Sequence, residues 1–341
     1  MKLGPVMVDV GGLELTPDDI ERLQHPQVGG AILFARNFAA PLQLIQLTHS
    51  IRELRTPSLL IAVDHEGGRV QRFRHGFTAI PPMRELGKLW GRDPAQAIAA
   101  ARGCGFVIGS ELQAHGVDFS FAPVLDVDYG ESGVIGDRAL HSDPHAIAVL
   151  AEALQAGLNA AGMMSVGKHF PGHGYVRADS HLEVPVDDRT LAEITAKDLL
   201  PFQRMARSGM GAVMPAHVIY PKVDSKPAGF SSIWLQKILR EKLGFQGIIF
   251  SDDLMMEGAS TAGGVVARAN AALNAGCDMA LLCNDPRAAD SLLEGLERRP
   301  IQPTLARRLD KMRGRGISTA ALKANAAYLA ATENLARIRS A

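Results

Sequence analysis

Residues 164–174 read Met164-Ser165-Val166-Gly167-Lys168-His169-Phe170-Pro171-Gly172-His173-Gly174. The segment opens with a short, mostly apolar run at 164–167 and continues with charged residues, a proline and two glycines. A continuous apolar run of this length is typical of a strand that is buried on both faces. Proline and glycine directly after it exclude a helix at this point. The segment therefore predicts a buried strand that leads into an irregular loop.

The same unit, an apolar run followed by polar residues and then by a helical segment, occurs eight times along the chain. The runs lie at 6–10, 30–34, 59–63, 118–124, 164–167, 212–214, 247–250 and 279–282. Amphipathic helical segments lie at 17–23, 41–54, 93–115, 145–161, 190–207, 232–243 and 265–275. Alternating strands and helices predict a parallel sheet, and a count of eight favours a closed barrel over an open sheet.

We therefore expect an α/β fold, a single-domain (β/α)8 barrel of the TIM type that spans residues 1–341. The chain has 341 residues, more than the roughly 250 of a typical barrel. An Ala-, Leu- and Arg-rich tail at about 303–341 predicts extra C-terminal helices packed on the barrel exterior. No linker composition separates a second domain.

Composition narrows the range of partners. The chain carries 36 Lys+Arg and 36 Asp+Glu, so it has no global field that would attract nucleic acid or an anionic membrane. Three cysteines form no Cys-x-x-Cys pair, which is typical of buried thiols in a reducing compartment. No signal sequence and no run of about 20 apolar residues occurs. We expect a cytoplasmic monomer without nucleic-acid or membrane partners.

Ionisable residues follow five of the predicted strands. They are Asp64, His65 and Glu66, then Asp126 and Asp128, then Lys168 and His169, then His217, and finally Asp252 and Asp253. A single polar residue in such a position is commonly a helix N-cap. Five such ends in one barrel would meet at one rim, and two long excursions, 67–92 and 170–188, leave the same rim. The pattern therefore predicts a catalytic site there.

The loop after the fifth strand holds Asp179-Ser180-His181. An aspartate two residues from a histidine suits a carboxylate that orients an imidazole for proton transfer, although an isolated pair of this kind is as often a surface turn. The loop's histidines, His169, His173 and His181, leave a metal-dependent barrel hydrolase as the alternative. The first strand lacks the His-x-His of many such enzymes, and no His-Glu-x-x-His occurs. We expect no metal and no cofactor.

Four motifs together resemble glycoside hydrolase family 3, and more narrowly the bacterial single-domain β-N-acetylhexosaminidases of that family. They are Asp64-x-Glu66-Gly67-Gly68, the 168–174 segment, Asp179-Ser180-His181 and Ser251-Asp252-Asp253-Leu254. The resemblance runs from about residue 6 to residue 285. The family uses a (β/α)8 barrel, in agreement with the strand count.

The resemblance implies a role for eight residues. Asp252 would be the nucleophile of a retaining mechanism with a covalent glycosyl-enzyme, and His181, oriented by Asp179, would be the acid/base. The substrate contacts would be Asp64, Arg72, Arg138, Lys168 and His169. Arg72 and Arg138 also have an ordinary interpretation as surface charges. Asp253, His65 and His173 would be structural.

The implied substrate is a terminal β-linked N-acetylglucosamine on a cytoplasmic peptidoglycan fragment, N-acetylglucosaminyl-1,6-anhydro-N-acetylmuramic acid with or without its peptide. This would place the enzyme in peptidoglycan recycling. Phosphate instead of water as the acceptor, and a sugar-binding barrel without activity, remain alternatives. Many relatives carry Asp-Thr where this chain has Tyr175-Val176, so we expect this loop to dock differently.

Overall fold

The computed structural model describes residues 3–180, 183–298 and 303–340. Within these ranges the strands are β1 (Val6–Asp9), β2 (Val28–Leu33), β3 (Leu60–Val63), β4 (His65–Gly67), β5 (Val70–Gln71), β6 (Phe119–Ser120), β7 (Val166–Phe170), β8 (Ala212–Pro215), β9 (Ile219–Tyr220), β10 (Asp224–Pro227), β11 (Ile248–Ile249) and β12 (Ala280–Leu282).

The α-helices are α1 (Pro17–Gln24), α2 (Pro41–Glu53), α3 (Met83–Trp90), α4 (Pro94–Ala114), α5 (Pro144–Ala160), α6 (Leu191–Ala196), α7 (Leu199–Arg207), α8 (Val265–Ala275), α9 (Pro286–Gly295), α10 (Pro303–Lys311), α11 (Thr319–Lys323) and α12 (Ala326–Ser340). Short 3-10 helices lie at Ala35–Asn37, Gly136–Arg138, Ala228–Phe230 and Glu257–Ala262, and a π-helix lies at Ile233–Lys242.

All eight predicted apolar runs contain a strand, and these strands form two parallel sheets. One sheet has the order β12-β1-β2-β3-β6 and the other has the order β11-β8-β7. Isolated parallel bridges join Val124 to Lys168 and Phe250 to Met279, so each end of one sheet is hydrogen-bonded to an end of the other. The strand predicted at 118–124 is shorter than expected because Pro123 has no amide hydrogen to donate. The fold is therefore α/β with parallel sheets, as the alternation of elements predicted.

The core lies between the two sheets. Phe119 and Phe121 belong to the first sheet's edge, and their rings lie 5.4 and 5.3 Å from that of Phe250, which follows β11. Outside the sheets, α4 and α5 cross in close contact because both carry glycine at the crossing. A Cβ atom on Gly105 would lie 2.0 Å from the carbonyl oxygen of Leu154, and one on Gly157 would lie 2.0 Å from that of Arg102.

Two helical predictions need correction. The segment 190–207 is two helices, α6 and α7, because Pro201 has no N–H for the carbonyl of Lys197, where the chain breaks. The segment 232–243 is a π-helix rather than an α-helix. The excursion 67–92, for which the sequence predicted no elements, contains part of the β4–β5 hairpin and the whole of α3.

The tail forms α10, α11 and α12. On α12, the Tyr328 hydroxyl donates a 2.6 Å hydrogen bond to Glu111 of α4, and Arg313, after α10, donates to Ser58. Burial raises the pKa of Glu111 despite its hydrogen bonds to Thr78 and Tyr328. Among the residues that the structure describes, no helix combines the length and the apolar character needed to cross a bilayer.

Candidate active site

The carboxyl ends of the parallel strands surround a cavity of about 470 Å³. This volume lies within the range of roughly 300–1,000 Å³ that is typical of small-molecule sites. Seven of the eight predicted site residues line it: Asp64, Arg72, Arg138, Lys168, His169, Asp179 and Asp252. The eighth, His181, lies outside the described residues. The structure therefore brings together residues that are up to 188 positions apart in the sequence.

Lys168, on β7, is the centre of a buried ion-pair cluster. Its Nζ atom lies 2.7 Å from Asp64 Oδ1 and 2.7 Å from Glu66 Oε1. Burial lowers the pKa of Lys168, but the two carboxylates outweigh it and raise the pKa above its usual value. Arg138 donates two 2.8 Å hydrogen bonds to Glu66. Burial raises the pKa of Glu66, yet Arg138 and Lys168 hold it well below its usual range. Lys168, Glu66 and Arg138 are therefore charged at neutral pH.

Asp64 is held from two sides. Lys168 contacts one oxygen, and Arg72 lies 3.6 Å from the other through its Nη2 atom. The Arg72 guanidinium also lies 5.7 Å from the ring centre of Phe34, which lines the cavity. Asp64 is half-buried, so an ordered carboxylate acceptor faces the cavity beside ammonium and guanidinium donors. Such a set matches sugar hydroxyls, which both donate and accept hydrogen bonds.

His169 is oriented by a buried carboxylate. Its Nδ1 atom lies 2.7 Å from Oδ2 of Asp126, which is completely buried. The other oxygen of Asp126 accepts the backbone N–H of His173 at 2.7 Å. Burial raises the pKa of Asp126, but His169 and the other hydrogen bonds lower it below its usual value. Asp126 is therefore an anionic support for this side of the cavity.

Asp252 and its neighbour Asp253 have opposite electrostatic environments. Burial raises the pKa of Asp252, but His169, His217, the Asp253 N–H and Lys168 together lower it below its usual value. Burial raises the pKa of Asp253 to about 6, although the backbone N–H groups of Met255 and Cys283 bond its Oδ1 atom. Asp252 is thus the ionised carboxylate suited to attack, whereas Asp253 fixes the backbone of the segments around it.

The loop that carries Asp179 is anchored at Ser180. The carbonyl oxygen of Ser180 accepts a 2.9 Å hydrogen bond from the N–H of Gly258, and its hydroxyl lies 3.1 Å from Nε2 of His173. Asp179 lines the same cavity as Asp252. The described part of the Asp-x-His motif therefore faces the same cavity as the carboxylate with which sequence reasoning paired it.

Sequence reasoning gave no catalytic or binding role to four residues that shape this site. Glu66 was noted as a strand-end carboxylate within a family motif and Asp126 as a strand-end carboxylate. His173 was expected to be structural, and its ring contacts Ser180. His217 is completely buried, and neither of its ring nitrogens has a hydrogen-bond partner among the described residues. Burial lowers the pKa of His217, although the charge of Asp252 acts in the opposite direction. The position of these four residues after strands was the sequence signal that could have placed them in the site. Their hydrogen-bond and ion-pair partners depend on the fold and could not be read from the sequence.

The described residues contain no group of three or more His, Cys, Asp or Glu side chains arranged to hold a metal. His169 and His173 have ring centres 6.1 Å apart and are bonded to Asp126 and Ser180 respectively. A larger cavity, about 900 Å³, lies between α4 and α12, but it is lined mainly by apolar and basic side chains and contains none of the candidate residues.

Three comparisons identify similar proteins. The model of the glycosyl hydrolase family 3 N-terminal domain matches residues 6–305. A β-hexosaminidase of Methylobacillus flagellatus is 62% identical over 92% of this chain and 90% of its own length. The crystal structure of NagZ from Neisseria gonorrhoeae in complex with N-trifluoroacetyl-D-glucosamine has a TM-score of 0.94 and 51% identity, and covers 100% of this chain and 99% of its own. The same protein in complex with a zinc ion has a TM-score of 0.93 and 48% identity over 99% and 98% of the two chains.

Proposed function

Because the chain belongs to glycosyl hydrolase family 3, we propose that it is a retaining β-N-acetylglucosaminidase. It is a glycoside hydrolase, and the relatives named β-hexosaminidase support the sugar specificity. The observation that carries the proposal is one shared cavity. Asp252, a carboxylate whose pKa is lowered, and the loop residue Asp179 line it together with Asp64, Lys168 and His169.

The proposed reaction has two steps. Asp252 attacks the anomeric carbon while His181, oriented by Asp179, gives its proton to the departing oxygen. Water, deprotonated by the same imidazole, then opens the glycosyl-enzyme and restores the original anomeric configuration. Asp64, Lys168, Arg72, Arg138 and His169 bind and orient the sugar hydroxyls. Each group other than His181 belongs to the described cavity lining, which supports the assignment.

The proposed substrate is N-acetylglucosamine β-linked to anhydro-N-acetylmuramic acid, with or without peptide, in cytoplasmic peptidoglycan recycling. The Neisseria gonorrhoeae NagZ complex with a glucosamine derivative supports the glycone. We also propose that the two parallel sheets form one closed (β/α)8 barrel in a single monomeric domain. The bridges Val124–Lys168 and Phe250–Met279 support closure, since each joins strands from different sheets.

An aryl β-N-acetylglucosaminide tests the activity. We expect Asp252→Asn to abolish turnover, because the amide is not a nucleophile, whereas Asp253→Asn, the adjacent matched control, retains it. A fluorinated mechanism-based N-acetylglucosamine derivative should add its mass to the peptide that contains Asp252. Full activity of Asp252→Asn, or an adduct on another peptide, would refute the nucleophile.

Two further arms separate the alternatives. Activity should persist after exhaustive chelation. This experiment is needed because one NagZ structure contains a zinc ion. A loss of activity that added zinc restores would favour the metal-dependent hydrolase. The product formed in phosphate buffer should be free N-acetylglucosamine, and N-acetylglucosamine 1-phosphate would instead show transfer to phosphate. A muropeptide digested with the enzyme should lose one N-acetylglucosamine by mass spectrometry.

A further inference from the structure

Ser180 lies between the two residues of the proposed acid/base pair, Asp179 and His181. Its side chain is almost completely buried, at 2% exposure, which is unusual for a polar residue in a loop. It is fixed twice, through its hydroxyl at His173 Nε2 and through its carbonyl oxygen at the Gly258 N–H. The described part of the loop, which includes Asp179, is therefore held at a defined point.

His173, the partner of the Ser180 hydroxyl, is itself fixed. Its backbone N–H donates to Oδ1 of Asp126, and Oδ2 of Asp126 bonds the ring of His169. Burial and the neighbouring His169 lower the pKa of His173, so its ring is neutral at pH 7. A neutral imidazole offers one donor and one acceptor, and a serine hydroxyl can pair with either. A continuous set of hydrogen bonds thus runs from His169, at the cavity wall, to Ser180.

The contact at Gly258 requires glycine. A Cβ atom at this position would lie 2.8 Å from the Cβ atom and from the carbonyl oxygen of His217, and 3.3 Å from the Cβ atom of Ser180. The backbone of the 3-10 helix Glu257–Ala262 can therefore approach Ser180 closely enough for the 2.9 Å hydrogen bond. A larger residue at position 258 would therefore displace this contact.

We propose that Ser180 is a positioning residue that sets the place of the Asp179–His181 pair relative to Asp252. The inference rests on the proposed function. Ser180 transfers no proton itself; it holds the loop so that the acid is available to the leaving group. Its loss therefore affects substrates in proportion to how much acid assistance their leaving groups need.

The experiment measures kcat/KM for aryl β-N-acetylglucosaminides whose phenols range from dinitrophenol, which leaves without a proton, to phenol, which needs one. Ser180→Ala removes the hydroxyl, and Gly258→Ala displaces the backbone contact independently. We expect roughly tenfold lower kcat/KM on the phenyl substrate and less than about twofold on the dinitrophenyl substrate, because one hydrogen bond is lost. His181→Ala should show the same dependence on the leaving group more steeply.

Ser260→Ala is the matched control, since this half-buried serine lies in the same 3-10 helix as Gly258 and its hydroxyl bonds none of the other described residues. It should behave as wild type on all substrates. If Ser180→Ala lowers kcat/KM equally on all substrates, or not at all, the positioning role is overturned. The proposed function still holds in that case if kcat/KM of His181→Ala depends steeply on the leaving group. A wild-type enzyme without activity on the whole series, or a flat His181→Ala response, would overturn the proposed function and the Ser180 role with it.

Discussion

The Nδ1 atom of His169 and the Oδ2 atom of Asp126 lie 2.7 Å apart, with the carboxylate completely buried. A carboxylate accepts, so the proton of this hydrogen bond is assigned to Nδ1, and Nε2 is left for the cavity. The other oxygen of Asp126 fixes the backbone of His173. One buried charge thus orients an imidazole of the cavity wall and the start of the loop that carries Asp179.

Asp126→Asn should reduce activity strongly without unfolding the protein. The amide keeps the shape but replaces one acceptor with a donor, so it cannot accept from both His169 and the His173 backbone. We expect kcat/KM to fall roughly 10- to 100-fold and the free energy of unfolding to fall by about 2 kcal/mol. Aryl β-N-acetylglucosaminide hydrolysis and urea unfolding measure the two effects.

The control for this change is Asp128→Asn. Asp128 follows the same strand but pairs with Arg84 and does not line the cavity. Its replacement should leave kcat/KM within about twofold of wild type. Equal effects of the two substitutions would contradict the role given to Asp126.

Glu66→Gln should be costly because Glu66 neutralises two buried cations, Lys168 and Arg138. Without this charge, Lys168 keeps its ion pair with Asp64, whereas Arg138 loses its ion pair with Glu66, and we expect the free energy of unfolding to fall by roughly 3 kcal/mol. The KM should rise, since the two cations proposed to bind the sugar lose their fixed orientation. Urea unfolding and steady-state kinetics measure both.

Glu85→Gln is the matched comparison for Glu66→Gln. Glu85 also pairs with a lysine, Lys88, at 2.8 Å, but the lysine side chain is 57% exposed. Exposed pairs contribute little, so the loss should stay below about 0.5 kcal/mol. A loss from Glu66→Gln as small as this would show that burial does not strengthen the cluster.

Asp253 makes stability depend on pH in the opposite direction to an ordinary ion-paired carboxylate. Burial raises its pKa from 3.8 to about 6, so the folded protein holds this proton more tightly than the unfolded chain does. The resulting stabilisation is complete below pH 3.8 and is lost as the pH rises to about 6. Asp253→Asn cannot titrate, and its asparagine Oδ1 can still accept from Met255 and Cys283.

The unfolding free energy of wild type minus that of Asp253→Asn should therefore decrease by on the order of 2 kcal/mol between pH 4 and pH 7. Urea unfolding at unit pH steps gives this difference directly. Asp310→Asn replaces a carboxylate that is 79% exposed and serves as the control for the amide substitution itself. A wild-type minus Asp253→Asn difference that does not change with pH would contradict the raised pKa of Asp253.

The order of the elements was predictable because strands buried on both faces have an unmistakable apolar pattern. All eight strands and most helices follow from it. The break at Lys197 was missed because an amphipathic pattern continues across Pro201, and the π-helix Ile233–Lys242 has the same apolar periodicity as an α-helix would. The hairpin β4–β5 was missed because each strand has two or three residues.

The site was predictable to the level of which residues meet, but not of how they pair. Seven candidates line one cavity because parallel strands end at one edge. Glu66 binds both Lys168 and Arg138. The sequence could not predict this pairing, because it depends on distances in the folded chain. The same holds for Ser180, which as a loop serine gives no sign in the sequence that it is buried.

Tyr175, where the sequence predicted that the loop docks differently, packs against a cluster of residues around Arg189. The Arg189 guanidinium lies 4.0 Å from the centre of the Tyr175 ring, and Tyr129 packs edge-on against the same ring at 5.3 Å. Arg189 is held in turn by ion pairs to Asp187 and Asp198. Tyr175 thus attaches the loop between Gly174 and Asp179 to a rigid cluster, although 41% of its surface is exposed.

Tyr175→Ala should loosen this attachment without removing a group from the cavity. We expect the free energy of unfolding to fall by about 1 kcal/mol, the value of a cation–π contact at a partly exposed site, and amide hydrogen exchange at 174–180 to become faster. Arg177→Ala is the control, because Arg177 belongs to the same loop but its ion pair with Glu131 is exposed. If exchange at 174–180 rises equally in both variants, the stacking on Arg189 is not what holds the loop; a rise only in Tyr175→Ala supports that role for the ring.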